Sequence, residues 1–337
     1  MKRGKYTIAT LGSHSALQIL KGAKDEGFKT LLITPPARAS FYARFPFIDK
    51  IITIPSFAEF PKLEQELKKK NCIIIPHGSF VAYLGMEGNK NMHIPYFGNK
   101  KVLDWEANRR LQLQWFNEAK ILTPKIFSPK ETIDRLVIVK TFGADGGSGY
   151  FLAKNKKEIN LKLHTLKKGD YVIQEYVVGV PMYFHYFYSS LTKTLELLSI
   201  DRRYETNADA IGRIPYTLQS GIKINPSFVV VGNSPLVLRE SLLPMVYDMG
   251  EQIVTASKKL IDSRGLFGAF CLETIVTPDQ KIYTIEISCR IVAGTNLFID
   301  SSPYAALLYD EPMSTGRRIA REIKSAIKKR QLEKLLD

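Results

Sequence analysis

Cysteine is scarce in this chain: three in 337 residues, Cys72, Cys271 and Cys289, with no CxxC pair and no secreted-domain framework among them. That excludes a disulfide-stapled scaffold and fits a reducing compartment. Apolar runs long enough to cross a membrane, about 20 residues, are lacking too. The first strand candidate is followed by a polar helix start rather than a small-residue cleavage site, so the expected location is cytoplasmic. Internal repeats and low-complexity segments are absent, which excludes solenoids and linker arrays. Acidic residues are in deficit, 33 Asp and Glu against 48 Lys and Arg, leaving a net charge of +15. Such an excess suits nucleic acid, an anionic membrane or a phosphorylated substrate. No RNP signature, zinc-finger spacing or helix-turn-helix pattern accompanies it, which weakens the first of these. Residues 313–337 carry eight Lys or Arg and three acids, so this end supplies +5 and the rest +10. It reads as a basic helix or tail with a solvated face, dispensable for chemistry.

What is present is a βα rhythm. A strand over Tyr6 to Leu11, a helix from Ser15 to about Glu26 closed by Gly27, and a strand from Thr30 to Thr34 stopped by Pro35-Pro36 form a βαβ opening. It continues through Lys50 to Ile54, an amphipathic Glu59 to Lys70, and Cys72 to Pro76. The expectation is a small parallel sheet over residues 1–98, with ligands at the carboxyl ends of its strands. A long amphipathic helix is expected from Val102 to about Lys120. After it come strands at Leu136 to Lys140, Tyr150 to Lys154, Tyr171 to Val178, Met182 to Ser190 and Thr194 to Asp201. A helix near Leu242 to Ser263 precedes strands at Gly268 to Val276 and Lys281 to Ser288. These hairpin-like segments make the second half α+β.

Three constellations in that half are candidates for chemistry, each with a plainer reading: two acids on a solvent face, an ordinary glycine hairpin turn and an unremarkable strand end. Thr277-Pro278-Asp279-Gln280 is turn material, and a two-residue loop at 279 and 280 places Glu273 opposite Glu286. Directly opposed Cβ atoms lie about 4.5–5.5 Å apart, where like charges repel unless a cation bridges them. Mg²⁺ suits hard carboxylate oxygens and shares its other positions with water and phosphate. The second is Lys140, delivered by a buried strand just before Gly143, Gly146, Gly147 and Gly149; backbone N–H groups there can approach phosphate oxygens while the lysine adds a point charge. The segment lacks the GxxxxGK[ST] order, so it is not a P-loop. Third, Gln174-Glu175-Tyr176-Val177-Val178-Gly179 ends a strand at a glycine turn.

The order of lysine, glycine-rich loop, Gln-Glu-Tyr-Val hinge, Glu and Glu-x-x-x-Arg resembles the ATP-grasp superfamily over residues 99–312. The amino-terminal motifs, Gly12-Ser13-His14-Ser15 and Pro76-His77-Gly78-Ser79, with Glu286 through Asn296, look like the archaeal formate-dependent ligases of purine synthesis. The resemblance implies an ATP-grasp fold behind an N-terminal parallel-sheet domain. It also implies that Arg109, Lys140, Gly146, Gly147, Ser148 and Glu205 bind ATP, with Glu175, Tyr176 and Val177 forming the adenine hinge. By the same resemblance, Glu273 and Glu286 would hold Mg²⁺ or Mn²⁺, Lys140 and Arg290 would stabilise the transferred phosphate, and His14, Ser79 and Asn233 would contact the aminoimidazole ribotide. The family's usual Glu-x-Asn-x-Arg reads Glu286-Ile287-Ser288-Cys289-Arg290, so a third metal ligand is Ser288, Asn296 or none.

From the residues alone, Gly12-Ser13-His14-Ser15 sits where a strand feeds a helix and can take a phosphate, with plain N-capping by either serine as the other reading. Glu205 either reaches the nucleotide or pairs with Arg202 or Arg203. His93, His164 and His185 read as structural or exposed. The expected activity is an ATP- and Mg²⁺-dependent formylation of 5-aminoimidazole-4-carboxamide ribonucleotide with formate, through formyl phosphate. The alternatives are an ATP-grasp ligase of another substrate pair and, from a different class, a nucleic-acid-binding protein. Monomer and homo-oligomer are both left open.

Overall fold

The computed structural model describes residues 6–128, 130–141, 150–163, 171–205, 211, 213–219, 230–292 and 302–337. The described residues form three sheets. The first is parallel, in the order β3-β2-β1-β4, from β1 (Thr7–Leu11), β2 (Lys29–Thr34), β3 (Lys50–Thr53) and β4 (Cys72–Ile74). All five residues of β1 are buried, as a strand covered on both faces requires. Gly27 ends the first helix, Ala16–Asp25, at φ +84, the left-handed position that favours glycine. Pro36 does more than stop β2: it occupies the first turn of a short helix, Pro36–Tyr42, where its missing N–H costs nothing. The helix expected from Glu59 to Lys70 is divided, because Pro61 holds Phe57–Leu63 in 3₁₀ form and leaves only Glu64–Lys69 as α-helix.

The second sheet is antiparallel, in the order β5-β8-β6-β7, from β5 (Ile126–Phe127), β6 (Val137–Thr141), β7 (Tyr150–Ala153) and β8 (Tyr171–Glu175). The third, also antiparallel, runs β11-β10-β9-β12-β13 through β9 (Val180–Tyr188), β10 (Leu195–Glu205), β11 (Val230–Pro235), β12 (Gly268–Val276) and β13 (Ile282–Ser288). The helix expected over residues 102–120 is two helices, Val102–Ala107 and Arg109–Glu118. Asn108 breaks them: its backbone is extended, and its side-chain oxygen accepts the N–H groups of Arg110 and Leu111 at 3.0 and 3.3 Å, an N-cap in mid-segment.

The carboxyl-terminal segment departs furthest from expectation. Its helix, Thr315–Lys329, packs against the first helix so closely that a Cβ on Gly22 would lie 2.2 Å from the Arg317 nitrogen. Its cations are largely paired rather than solvated. Arg318 is buried, 2.7 Å from Glu196 and 3.0 Å from Glu322, with its guanidinium over the Phe187 ring. Glu26 receives Arg317, Arg321 and Lys324. Although burial pushes that carboxyl up, these hydrogen bonds hold it down at about 2. Ile319, Ile323 and Ala326 share one core with Ile8 and Ile19 of the amino-terminal unit and Phe184, Phe187 and Leu272 of the third sheet. The segment therefore ties the parallel-sheet unit to the antiparallel one, and removing it would expose that core. Lys328, Lys329 and Arg330 alone in this helical turn stay exposed.

Candidate active site

Glu273 faces Glu286 across β12 and β13 as expected, but the route to that register differs. The turn has three loop residues rather than two: Thr277 and Lys281 close it through an N–H to carbonyl bond of 3.0 Å, and Gln280 adopts the left-handed conformation, φ +63. Pairs near the turn are accordingly Val276 with Ile282 and Thr274 with Thr284. A bulge between the Glu273 and Thr274 rungs leaves Ile285 as the extra residue and restores Glu273 opposite Glu286.

Burial, followed by the charge of Glu273, pushes the Glu286 carboxyl up to about 7, against the opposing pull of Arg109 and Lys140. Arg203 Nη1 donates to Glu273 Oε1 at 3.2 Å, with its guanidinium 3.7 Å from the centre of the Tyr183 ring. Two facing carboxylates, one of them half-buried and raised by the other's charge, form a hard-oxygen pair that a divalent cation fits. Ser288, two residues further along β13, pairs with Cys271 and shares the Glu286 face. Asn296 and the glycine-loop residues Gly146, Gly147 and Ser148 lie outside the described residues.

A cleft beside the carboxylates is lined by Arg109, Gln112, Leu113, Phe116, Ile126, Lys140, Val172, Gln174 and Ile285. Lys140 comes from the end of β6, and Arg109 is the first residue of the helix that Asn108 caps. Burial and then the charge of Arg109 bring the Lys140 ammonium down to about 8, with the two glutamates opposing. At the end of β8 the Glu175 N–H donates to the Lys125 carbonyl and the Tyr176 N–H to the Leu136 carbonyl, at 2.8 and 3.1 Å. The Glu175 side chain meets Arg135 at 3.4 Å. Glu205, at the bulged end of β10, adds its charge to the surroundings of Tyr176 and Tyr183. Arg203 turns to Glu273, as the sequence did not foretell.

The amino-terminal turn closes on the same region. His14 holds a positive φ of 25°, an uncommon conformation for a residue with a Cβ and one that concentrates at working sites. The side chain is exposed at this turn; partial desolvation, then the charges of Arg290 and Arg38, lower its imidazole from the usual value. Ser15 does not cap the first helix through its side chain; its hydroxyl donates to the Val292 carbonyl at 2.5 Å. Ser13 Oγ lies 3.2 Å from Ser79 Oγ and 2.9 Å from the Tyr83 hydroxyl, which Arg38 also contacts at 3.3 Å. The buried His77 takes the Ser79 N–H on Nδ1 at 3.2 Å, so Nε2 carries the proton and donates to the Leu11 carbonyl at 2.8 Å. Burial presses that ring down to about 3, which makes it a permanent neutral brace. His77 also bridges to Ile291, so the chain leaving β13 lies directly against this turn.

Asn233 lies on β11 opposite Arg203, and its amide donates to Asp201 at 2.6 Å. Asp201 is fully buried and lies 3.2 Å from His185 Nε2. Arg38, Tyr83 and Asp201 lie at this site without having been sequence candidates, and Arg203 was expected only as a partner for Glu205. Only Arg38 and Tyr83 had a local signal, since both follow parallel strands at their carboxyl ends.

Parallel sheet, antiparallel sheets, paired glutamates and lysine-tipped β6 together define an ATP-grasp protein with a preceding α/β domain. Solved structures agree: the chain superposes on an IMP biosynthesis protein PurP from Thermococcus kodakaraensis with a TM-score of 0.80 at 33% identity, covering 98% of this chain and 100% of that one. At 13% identity it shares its fold with N5-carboxyaminoimidazole ribonucleotide synthetase, solved as an ADP complex, at a TM-score of 0.61 over 86% of this chain and 72% of that one. Models for a protein of unknown function (DUF1246) and a domain of unknown function (DUF1297) match residues 8–127 and 152–337. The 5-formaminoimidazole-4-carboxamide-1-(beta)-D-ribofuranosyl 5'-monophosphate synthetase of Pyrococcus horikoshii is 53% identical over 98% of this chain and 99% of its own, and that of Saccharolobus solfataricus 49% over 96% and 98%. The chain belongs to this family of synthetases, and it is an ATP-dependent ligase.

Proposed function

We propose that the chain joins formate to the 5-amino group of 5-aminoimidazole-4-carboxamide ribonucleotide, converting ATP to ADP and phosphate. A formate oxygen takes the γ-phosphoryl group to give formyl phosphate and ADP. The amine nitrogen then bonds to the formyl carbon, phosphate departs, and the amine gives up one proton. The observation that carries this reading is that the turn bearing His14 lies within the electrostatic reach of Arg290, just beyond the strand that carries Glu286. On this reading one substrate would sit beside the phosphoryl chemistry of the other. Glu273 and Glu286 would hold Mg²⁺ or Mn²⁺, which supplies charge neutralisation on the polyphosphate when bound. Lys140 and Arg109 face the same cleft and would hold phosphate oxygens, while the backbone after Glu175 takes the adenine edge. Glu205 would take part on the nucleotide side of the cleft. The backbone of Gly146 and Gly147 with the Ser148 hydroxyl would cover the phosphates and keep water from the acyl phosphate. Ser79, held by His77, and Asn233, held by Asp201, would orient the ribotide.

The direct test incubates the protein with ATP, Mg²⁺, formate and the ribotide, omits each in turn, and follows ADP together with formylated product. Full dependence on all four is expected; ADP and product that form equally without formate, or only with another acid, would overturn the reading. His14→Ala should raise the apparent Kd for the ribotide at least about 10-fold, the size of one lost hydrogen bond to a polar ligand, and leave ATP affinity within about 2-fold. Equal loss of both ligands in a calorimetric titration would show that His14 holds the fold instead.

A further inference from the structure

Arg290 is not left to find its own orientation. Glu106, at the carboxyl end of helix Val102–Ala107, accepts from Arg290 Nη2 through Oε1 at 2.5 Å and from the Cys289 N–H through Oε2 at 2.8 Å. Both side chains are largely buried, Glu106 at 11% and Arg290 at 16% exposure. The carboxylate is itself fixed. It sits two residues before the Asn108 cap, and its main-chain carbonyl accepts the side-chain amide of Gln112 on the next helix. One carboxylate therefore grips both the guanidinium and the backbone immediately before it, a two-point clamp that leaves the head of Arg290 little freedom. The groups around it explain why a clamp is needed. Glu286 precedes Arg290 by four residues, close enough to Glu106 that the Glu106 charge adds to the repulsion it feels. An unclamped guanidinium would have that glutamate pair as an alternative partner, and a cation seated there would compete with a metal.

We propose that Glu106 is a positioning residue of the ligase reaction: it aims Arg290 at the transferred phosphoryl group and keeps it off the Glu273–Glu286 pair. This rests on the reading of Arg290 given above.

The test is a double-mutant cycle of Glu106→Gln and Arg290→Ala on the full chain, with kcat, the KM for ATP, the Mg²⁺ dependence and the melting temperature measured for each protein. The amide introduced by Glu106→Gln keeps an acceptor for the Cys289 N–H and removes the charge that holds Arg290. The expected results are a kcat about 10- to 100-fold lower for Glu106→Gln, the scale of losing the placement of one catalytic group, with the KM for ATP changed less than about 3-fold. The Mg²⁺ concentration for half-maximal rate should rise. In the Arg290→Ala background, Glu106→Gln should have no further effect on kcat. If Arg290→Ala alone leaves turnover intact, the reading of Arg290 falls. If Arg290→Ala abolishes turnover while Glu106→Gln is near wild type, or if the two losses multiply, the proposal for Glu106 is overturned and that for Arg290 stands. A lowered melting temperature with kcat and Mg²⁺ dependence unmoved would reduce Glu106 to a structural ion pair. Should Glu106→Gln not fold, Glu106→Asp, which retains the charge one methylene further back, enters the same cycle with the same expectations.

Discussion

Glu286→Gln is expected to abolish Mg²⁺-dependent turnover while the metal-free protein melts at the same temperature as the wild type or higher. Ordinary active-site substitutions give no such pairing of effects. In the metal-free chain Glu286 is half-buried opposite Glu273, and both desolvation and repulsion favour its protonated form. A carboxyl whose folded value lies above its unfolded one costs stability as it ionises, so the destabilisation is absent below the ordinary carboxylate range and complete above about 7. The amide that Glu286→Gln introduces keeps the shape and removes the charge. The melting temperature of the variant minus that of the wild type should therefore grow as pH rises from about 4 to about 8, without metal. Added Mg²⁺ should raise the wild-type melting temperature and leave the variant unmoved. A solvent-facing pair would instead give near-normal turnover and no pH-dependent difference. Retained turnover at ordinary Mg²⁺ concentration would sink the metal assignment.

The glutamate pair also shows how far sequence reasoning reaches. Strand identity, alternation and turn residues placed Glu273 opposite Glu286, yet the loop has three residues and the register is rescued by a bulge at Ile285. Turn length depends on whether Gln280 accepts a left-handed backbone, and bulges depend on the neighbouring strand; neither leaves a periodic trace. Asn108 was legible in principle, since an asparagine followed by a polar first turn is a capping signal, but the amphipathic period continues through it and hides the break. That break separates Glu106, which pairs with Arg290, from Arg109, which lines the cleft. The hydrogen bond from Cys289 to Glu106 spans 183 positions, and that from Ser15 to Val292 spans 277. Contacts of that range are made by packing of whole elements, which composition and spacing do not encode. The family motifs reached His14, Ser79 and Asn233 by resemblance. His77 stood in the quoted motif without a role; its contact with Ser79, and that of Asp201 with Asn233, came only from the structure.

Arg318→Met is expected to destabilise the fold by about 3–5 kcal/mol in denaturant unfolding, the cost of breaking a buried ion pair from one side. Composition alone counts Arg318 among the solvated cations of a basic tail, for which a substitution would shift stability by less than about 0.5 kcal/mol. Its surroundings argue otherwise. Glu322 points at it from a buried position and Glu196 from a partly buried one; Glu196 also accepts from the Tyr309 hydroxyl, and Glu322 from Ser189. Without the guanidinium, two carboxylates remain in the core between the last helix and β10 with no countercharge. The cost should therefore belong to the orphaned acids rather than to the missing arginine. Adding Glu196→Gln and Glu322→Gln to Arg318→Met should recover most of the lost stability, because each amide keeps an acceptor for its hydroxyl donor and sheds its charge. Lys328→Ala, on the exposed end of the same helix, supplies the control and should be nearly neutral. If the triple variant were no more stable than Arg318→Met, the loss would lie in packing of the guanidinium on Phe187 instead. If Arg318→Met unfolded at the wild-type midpoint, the last helix would not be the tie between the two halves that its contacts describe.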